Sequence, residues 1–311
     1  MTGVCFIMGC TAAGKGALGR ELARRLGGQI VSVDSMKVYR RMDIGTAKPT
    51  AQVRAEIPHH CIDIVEPSDA FSVARYVDHA DRAIRAIRAA GSIPLAVGGT
   101  SLYIKALCEG LFEGPPADPD TRRELRAQAA AEGLAVLHQM LRLADPAAAE
   151  RIHPNDEKRI VRALEVHRLT GTPISELQRQ WDAGRRRYEC VFIGLRRDEA
   201  DLHHRINVRA ERMVRAGLRD EVAALLADPR GLAPQAAGAV GYAEMIAHAR
   251  GEMTLQKTLE KIKIHTRRMA AKQRTWQRRF AGVEWFDVVP GDGEDAPDHL
   301  VDAILSRVRF E

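Results

Sequence analysis

The sequence predicts an α/β protein of the P-loop NTPase type, with a parallel sheet flanked by helices and an all-helical insertion domain. Short apolar runs alternate with helical patterns before residue 114 and again after residue 187, which is typical of parallel sheets. A glycine-bounded loop joins the first apolar run to the first helix, and the stretch 118–183 shows helical periodicity without a strand pattern. We therefore expect segments 1–114 and 187–311 to form one P-loop core, and segment 115–186 to form the insertion.

The loop after the first predicted strand (residues 4–8) carries the clearest functional signal. It consists of Gly9, Cys10, Thr11, Ala12, Ala13, Gly14, Lys15 and Gly16. In a strand-loop-helix setting, backbone N–H groups and the helix N-terminus bind phosphate, and the lysine adds a positive charge. The general pattern G-x-x-x-x-G-K-[ST] ends in a hydroxyl that binds magnesium, and Gly16 has no such ligand. A glycine-rich turn that binds nothing is the alternative, but the position after a strand and before a helix favours nucleotide or diphosphate binding.

Two further turns are expected at the same edge of the sheet. The second predicted strand (residues 29–34) ends at Asp34 and Ser35, where open α/β sheets bind ligands, although a turn-capping aspartate is common. The fourth (residues 93–97) enters Gly98, Gly99 and Thr100 before another helix. Thr100 either caps that helix or offers its hydroxyl to an anion. Because the strand-glycine-helix arrangement occurs twice, we predict one shared anion site.

The other elements of the first part follow from periodicity and end signals. We expect a loop over residues 43–58, a third strand over 60–65 and a helix over 71–90, with Ser72 as its N-cap. His59 and His60 lie next to each other, but no further ligand has metal-site spacing, so we interpret them as ordinary strand-edge residues.

The second half of the chain combines a helical stretch with basic helices. Residues 118–183 predict three or four helices, of which 157–166 has a solvated basic face. A strand over 187–195 returns the chain to the sheet, and the next helix (198–216) places Arg205, Arg209 and Arg212 on one face. After a turn at 238–242, the helix 257–280 contains nine Lys/Arg and a single acid, Glu260. That bias favours nucleic acid over a merely solvated face. Residues 283–288 predict the last strand.

Composition excludes several classes of protein. A content of 45% apolar and 28% charged residues fits a globular protein, and the formal charge of +6 with a pI of about 9.2 permits a polyanionic partner. Five scattered cysteines without a C-x-x-C pair indicate neither a zinc site nor a disulfide framework. The first apolar run is too short to span a membrane. We expect a cytoplasmic monomer that contacts no membrane.

From the residues alone, three function classes remain open. One is a small-molecule phosphotransferase, which would need magnesium and lacks the hydroxyl at Gly16. The second is an enzyme acting on nucleic acid, with the loop holding a phosphate or pyrophosphate. The third is a nucleotide-gated RNA-binding module, against which Asp34 argues, because a bare binding module needs no base beside the loop.

Several motifs resemble those of the tRNA dimethylallyltransferase family. They run in order from residue 3 to about 286 and comprise the loop 9–15, the segments 31–35, 42–49, 97–100 with Tyr103, 151–156 and 240–242, and Thr275-Trp276. The blocks Asp-Ile-Gly-Thr-Ala-Lys-Pro and Arg-Ile-His-Pro-Asn-Asp are highly specific. The resemblance implies transfer of a dimethylallyl group from dimethylallyl diphosphate to N6 of adenosine 37, with the tRNA anticodon stem-loop as partner and Mg²⁺ as cofactor.

The resemblance also implies roles for individual residues. Asp34 is the expected general base, Thr100 bridges the amine and a diphosphate oxygen, and Lys15, Thr11 and Arg209 hold the departing diphosphate with the glycine loop. The residues expected to contact tRNA are Asp34, Ser35, Met36, Lys37, Thr100, Arg122, Lys158, Arg159, Arg162, Gly241, Tyr242, Lys272, Gln273, Arg274 and Trp276.

The sequence departs from the family pattern at three places. Gly16 replaces a Thr or Ser, so no direct magnesium ligand is expected there. Ala243 stands where a basic residue is usual, and Ala270-Ala271-Lys272-Gln273 carries one charge fewer than usual. An isopentenyltransferase acting on free adenine nucleotides is the nearest rival, but such a substrate offers nothing for the insertion and the basic helix to bind.

Overall fold

The computed structural model describes residues 3–112, 114–181, 186–289 and 296–310. The chain forms two compact units, one of Met1–Cys108 with Arg186–Glu311 and one of Glu109–Arg185. We call them the sheet unit and the helical unit. No helix in the described ranges is long and apolar enough to cross a membrane.

The chain up to residue 109 alternates strands and helices. Its elements are β1 (Gly3–Gly9), α1 (Lys15–Leu26), β2 (Gly28–Val33), α2 (Ala51–Glu56), β3 (His59–His60), α3 (Val73–Ala89), β4 (Ile93–Gly98) and α4 (Ser101–Glu109). The predicted cap of α3 is confirmed, because Ser72 Oγ accepts the Arg75 N–H at 3.2 Å. The predicted loop 43–58 was wrong in part, since Thr50 caps α2 within it.

The third strand is much shorter than the predicted 60–65. Cys61 and Asp63 adopt φ values of +60° and +56°, which are left-handed and end the extended conformation. Only a single bridge between Val65 and Tyr39 follows.

The helical unit contains more helices than the three or four predicted. They are α5 (Pro119–Glu132), α6 (Leu134–Ala144), α7 (Pro146–Arg151), α8 (Glu157–Thr170), α9 (Ile174–Leu177) and a one-turn 3₁₀-helix (Gln178–Trp181). Asp118, Asp145 and Asp156 accept N–H groups from the first turns of α5, α7 and α8, so each acidic residue starts a new helix. Leu125, Leu137, Leu141 and Ile160 belong to the core of this unit.

The described chain after residue 186 completes the sheet unit. Its elements are β5 (Glu189–Arg197), α10 (Glu199–Arg215), α11 (Leu218–Leu226), α12 (Pro234–Ala237), α13 (Tyr242–Ala249), α14 (Leu255–Gln277), β6 (Val283–Val288) and α15 (Asp298–Arg307). The helices predicted over 198–216 and 257–280 correspond to α10 and α14, whereas α11, α12, α13 and α15 were not predicted.

All six strands form one parallel sheet in the order β3-β2-β4-β1-β5-β6. This confirms the predicted fold class. The carboxyl ends of β2, β4 and β1 are neighbours at one edge, which is where such sheets bind ligands. Gly98 makes the approach of β2 and β4 possible there, since a Cβ on it would lie 2.0 Å from the carbonyl oxygen of Val33.

Candidate active site

The phosphate loop (residues 9–16) is fixed by side-chain donors that bind its carbonyl groups. Gly14 has φ +102° and Ala12 φ +64°, so the backbone leaves β1 in left-handed turns. Four loop carbonyls accept side-chain donors: Gly9 from Gln277 Nε2 at 3.0 Å, Cys10 from Lys15 Nζ at 2.6 Å, Ala12 from Arg205 Nε at 3.2 Å and Ala13 from Arg197 Nε at 3.4 Å. In the described chain, the N–H groups of Gly14, Lys15 and Gly16 have no hydrogen-bond partner. The loop therefore offers donors to an anion.

Gln273 on α14 joins the phosphate loop to the second glycine turn (residues 98–100). Its Oε1 accepts the Thr11 N–H at 2.8 Å, and its Nε2 donates to the Gly99 carbonyl at 3.1 Å. The amide is thus engaged in both directions, which gives Gln273 a structural role beside its predicted tRNA contact. Gln277, one turn later, is buried against the loop and was missed, because nothing in the sequence links a distant glutamine to a glycine carbonyl.

Asp34 lies directly after β2, half-buried, with its carboxylate fixed in orientation. Oδ1 accepts the backbone N–H groups of Met36 and Lys37 at 2.8 and 3.2 Å. The aspartate therefore does cap a turn, as one interpretation of the sequence had it. Oδ2 has no hydrogen-bond partner among the described residues, so one oxygen remains available to a substrate.

Thr100 does not cap the helix that follows it. Its Oγ1 accepts the Ser35 N–H at 3.1 Å, which connects the end of β4 to the turn after β2. A hydroxyl donates one hydrogen bond and accepts two, so Thr100 keeps its donor and one acceptor position. The predicted meeting of Asp34, the phosphate loop and the second glycine turn is observed.

Positive charge is concentrated at this edge of the sheet. Burial, together with the charges of Arg209 and Lys37, lowers the pKa of Lys15 to about 8, against the opposing effect of Asp34. Burial likewise lowers the pKa of Lys37 and of Arg209. Arg209 Nη1 lies 3.4 Å from Thr11 Oγ1, and Arg205 and Arg209, which the spacing placed on one face of the helix, both contact the loop from α10.

The donor set at position 16 does not match a direct magnesium site. Gly16 is exposed and has no side-chain oxygen, and the described residues contain no group of three or more His, Cys, Asp or Glu that could hold a metal ion. A Cβ at Gly16 would lie 3.6 Å from Arg20 Nη1. The Arg20 guanidinium thus lies near the position that a hydroxyl-bearing side chain would occupy.

The Asp-Ile-Gly-Thr-Ala-Lys-Pro block (residues 43–49) is held from two sides. The Glu221 carboxylate accepts the N–H groups of Asp43 and Ile44 at 2.9 and 2.8 Å, and the Tyr242 hydroxyl donates to it at 2.6 Å. Lys48, with a side chain 2% exposed, bonds Asp43 and Asp63 at 2.7 and 2.5 Å. These contacts fix the conformation of the block. Glu221, which makes several of them, was not predicted from the sequence.

Tyr242 was expected to contact tRNA, but its side chain is buried. It is 1% exposed, and its ring packs against Gly45, where a Cβ would lie 2.4 Å from Cε2. The ring is not available for stacking on a base. Gly241, with φ +96°, forms the N-cap of α13 and is buried as well, with its N–H donating to Glu244 Oε2 at 2.7 Å.

Two arginines of the helical unit flank a fully buried carboxylate. Arg122 bonds Glu165 through Nε and Nη2 at 2.8 and 2.9 Å, and Arg162 bonds it at 2.6 Å. Glu165 is 0% exposed, and these hydrogen bonds lower its pKa although burial alone would raise it. Arg122 and Arg162 remain about a third and a quarter exposed, and Lys158 and Arg159 lie on the open surface of α8.

The remaining predicted tRNA contacts lie on α14 and after β2. Lys272 is exposed, Arg274 pairs with Glu199 at 3.1 Å, and Trp276 is half-buried beneath the Arg279 guanidinium. Ser35 and Met36 are half-buried beside Asp34.

Comparisons with known proteins agree with this geometry. The family model described as IPP transferase matches residues 37–280. A tRNA dimethylallyltransferase of Geobacter metallireducens is 44% identical over 99% of this chain and 96% of its own, and one of Shouchella clausii is 46% identical over 98% and 97%.

Solved structures show the same fold. The tRNA isopentenylpyrophosphate transferase of Bacillus halodurans superposes with a TM-score of 0.71 at 40% identity, covering 98% of this chain and 95% of that one. A eukaryotic dimethylallyltransferase described as acting on tRNA gives a TM-score of 0.74 at 26% identity, covering 92% and 74%.

Proposed function

The chain belongs to the IPP transferase family, and from that premise we infer that it transfers a dimethylallyl group from dimethylallyl diphosphate to N6 of adenosine 37 in tRNA, releasing diphosphate. The observation that carries this inference is the convergence of Asp34, Thr100 and the phosphate loop at one edge of the sheet. An acceptor for a proton thus lies beside a cradle for a leaving anion. We assign donor binding and chemistry to segments 1–114 and 187–311, and tRNA stem contacts to 115–186.

Asp34 acts as the general base in this proposal. The exocyclic amine of adenine is a weak nucleophile, because its lone pair is delocalised into the ring. Oδ1 is held by two backbone N–H groups, so Oδ2 is the oxygen that takes the N6 proton as the nitrogen bonds to the allylic carbon. A positioned base contributes about 10²–10⁴-fold to such a step.

Thr100 connects the two halves of the reaction. The Ser35 N–H occupies one acceptor position of the Thr100 hydroxyl. The O–H can then donate a hydrogen bond to the diphosphate oxygen that is bonded to the allylic carbon, and the other lone pair can accept one from the amine. The electron pair of the breaking carbon–oxygen bond moves onto the diphosphate, so donors at that oxygen stabilise the charge as it forms.

The leaving diphosphate is held by the phosphate loop. Its proposed ligands are the free N–H groups of residues 14–16, the Thr11 hydroxyl, Lys15 and Arg209. Mg²⁺, the expected partner of a diphosphate, would supply further positive charge to the leaving group, and Gly16 would offer it no side-chain ligand.

The tRNA anticodon stem-loop is the proposed second substrate. Adenosine 37 must leave the base stack, at a cost of a few kcal/mol, which phosphate and stacking contacts offset. We place these contacts at Ser35, Met36, Lys272, Arg274 and Trp276 of the sheet unit, and at Arg122, Lys158, Arg159 and Arg162 of the helical unit.

A transfer assay tests the proposal. The protein is incubated with labelled dimethylallyl diphosphate and Mg²⁺ together with unmodified tRNA, AMP or ATP. We expect label in tRNA alone. Label in AMP or ATP would instead identify a transferase of free adenine nucleotides, and label in none of the three would contradict the proposed function.

A further inference from the structure

The cations around the phosphate loop outnumber the acids. Lys15, Arg20, Lys37 and Arg209 are linked by charge interactions, in which Arg20 acts on Lys37, and Lys37 and Arg209 act on Lys15. The Asp34 carboxylate acts on three of the four, and the charge of Arg20 also acts on Glu56. We call these four residues the cation cluster. The cluster therefore places an excess of positive charge beside a loop that offers N–H donors to an anion.

Two members of the cation cluster have no partner in the described chain. Neither the Arg20 guanidinium nor the Lys37 ammonium makes a hydrogen bond or ion pair there, although the next arginines along α1, Arg24 and Arg25, both pair with Glu21. Lys37 follows the Asp34 turn and is buried enough for its pKa to be lowered. Like charges repel and Asp34 supplies one negative charge, so a further anion that joins the cluster is attracted by the unpaired cations.

Arg20 lies next to position 16, where the phosphate loop lacks a side-chain ligand for a metal ion. Position 16 carries no oxygen, and Arg20 Nη1 is 3.6 Å from the point at which a side chain there would begin. In the general phosphate-loop pattern, the hydroxyl at this position holds a magnesium ion that neutralises phosphate charge. Arg20 comes from α1 and Lys37 from the turn after β2, and the charge of Arg20 acts on Lys37.

We propose that Arg20 and Lys37 supply the neutralising charge that a hydroxyl-bound magnesium ion supplies in other phosphate loops, so that this chain binds the diphosphate of its donor through its own cations. The inference deepens the proposed function and rests on it for the identity of the donor. It moves Lys37 from the tRNA contacts to the diphosphate site. It also explains how the site works with glycine at position 16.

Calorimetric titration of the full chain with inorganic pyrophosphate, once with Mg²⁺ and once with EDTA, tests this assignment. We expect wild-type affinity to change by less than about threefold on removing Mg²⁺, because binding does not use a protein-held metal. The double variant Arg20→Gln/Lys37→Gln should bind at least about tenfold more weakly in EDTA and recover part of that loss with Mg²⁺. Arg24→Gln, on the same helix but paired with Glu21 and Glu56, is the matched control and should bind like wild type.

The wild-type comparison needs no variant, so a folding defect cannot hide the answer. A wild-type loss of more than tenfold in EDTA would overturn the proposal, and so would a folded double variant with unchanged affinity. If the chain binds pyrophosphate in EDTA but fails to label tRNA, the proposed function is wrong while the diphosphate site stands. If tRNA is labelled but pyrophosphate binding depends strictly on Mg²⁺, the proposed function stands and the role of Arg20 and Lys37 is wrong.

Discussion

The hydroxyl of Thr100 accepts the backbone N–H of Ser35 at 3.1 Å, across two neighbouring parallel strands. This contact sets the distance between the proposed base and the second glycine turn, since Ser35 follows Asp34 directly. It also orients the hydroxyl, because the accepted N–H leaves the Thr100 proton to donate elsewhere.

Replacing Thr100 should therefore impair both chemistry and stability. Thr100→Val leaves the Ser35 N–H unpaired, at a cost of about 1–3 kcal/mol, and removes a donor to the leaving oxygen, so we expect the single-turnover rate to fall about 10²-fold or more. Thr100→Ser keeps the hydroxyl and should recover at least half of the lost activation free energy. Rapid-quench measurement of labelled tRNA gives both rates, and a Val variant as fast as wild type would remove Thr100 from the mechanism.

Asp34 can be tested with a nearly isosteric pair. Asp34→Asn retains an oxygen for the Met36 and Lys37 N–H groups but cannot take a proton, whereas Asp34→Ala loses both properties. Both should lower the single-turnover rate at saturating tRNA by at least about tenfold, while tRNA affinity stays nearly intact. Filter binding supplies the affinity. Equal losses in binding and rate would mean that Asp34 only positions the adenine.

Gly16→Thr is expected to restore the missing metal ligand. The site has room, since Gly16 is exposed and the nearest atom to a Cβ is the flexible end of Arg20 at 3.6 Å. The Mg²⁺ concentration for half-maximal rate should fall, because the hydroxyl can then bind the ion directly. A magnesium titration of both proteins at fixed substrate measures it, and identical curves would refute the expectation.

Substitution of Gln273 distinguishes two roles of this residue, support of the phosphate loop and contact with tRNA. Gln273→Ala removes the acceptor of the Thr11 N–H and the donor to Gly99, so the KM for dimethylallyl diphosphate should rise about tenfold, as expected for about 1.4 kcal/mol. Lys272→Ala, at the neighbouring exposed position, should instead raise the KM for tRNA. A Gln273 variant that changes only the tRNA KM would return this residue to the tRNA interface.

Lys15 makes diphosphate binding dependent on pH. Its pKa in the free protein is lowered to about 8 by burial and by Arg209 and Lys37, while Asp34 and Cys10 oppose the shift. The anion binds the protonated amine, so affinity for pyrophosphate is full below that pKa and falls as the pH rises through it, approaching about tenfold per unit. Lys15→Arg stays charged, so the wild-type affinity divided by that of the variant should decline between pH 7 and 9.5. A constant ratio would show that Lys15 does not titrate in binding.

The sequence was informative where a local pattern determines structure. The phosphate loop, Asp34 at the end of β2 and the Thr100 turn were predicted from apolar runs and glycines, and parallel pairing then brought them to one edge. Long-range partners carry no such pattern, so Gln277, Glu221 and Arg20 were missed. The same limit explains Tyr242, whose buried ring and hydrogen bond to Glu221 follow from packing that no periodicity reveals. The end of β3 depends on the left-handed backbone of Cys61 and Asp63, at residues that do not require it.

Helix α14 holds both glycine turns through Gln273 and the phosphate loop through Gln277. It also carries Lys272, Arg274 and Trp276, the proposed contacts with tRNA. A tRNA that shifts or stiffens this helix therefore changes the cradle of the prenyl donor. Thermodynamic linkage then requires the converse, namely that the donor alters the affinity for tRNA by the same factor. Helix α14 would in this way couple the binding of the two substrates.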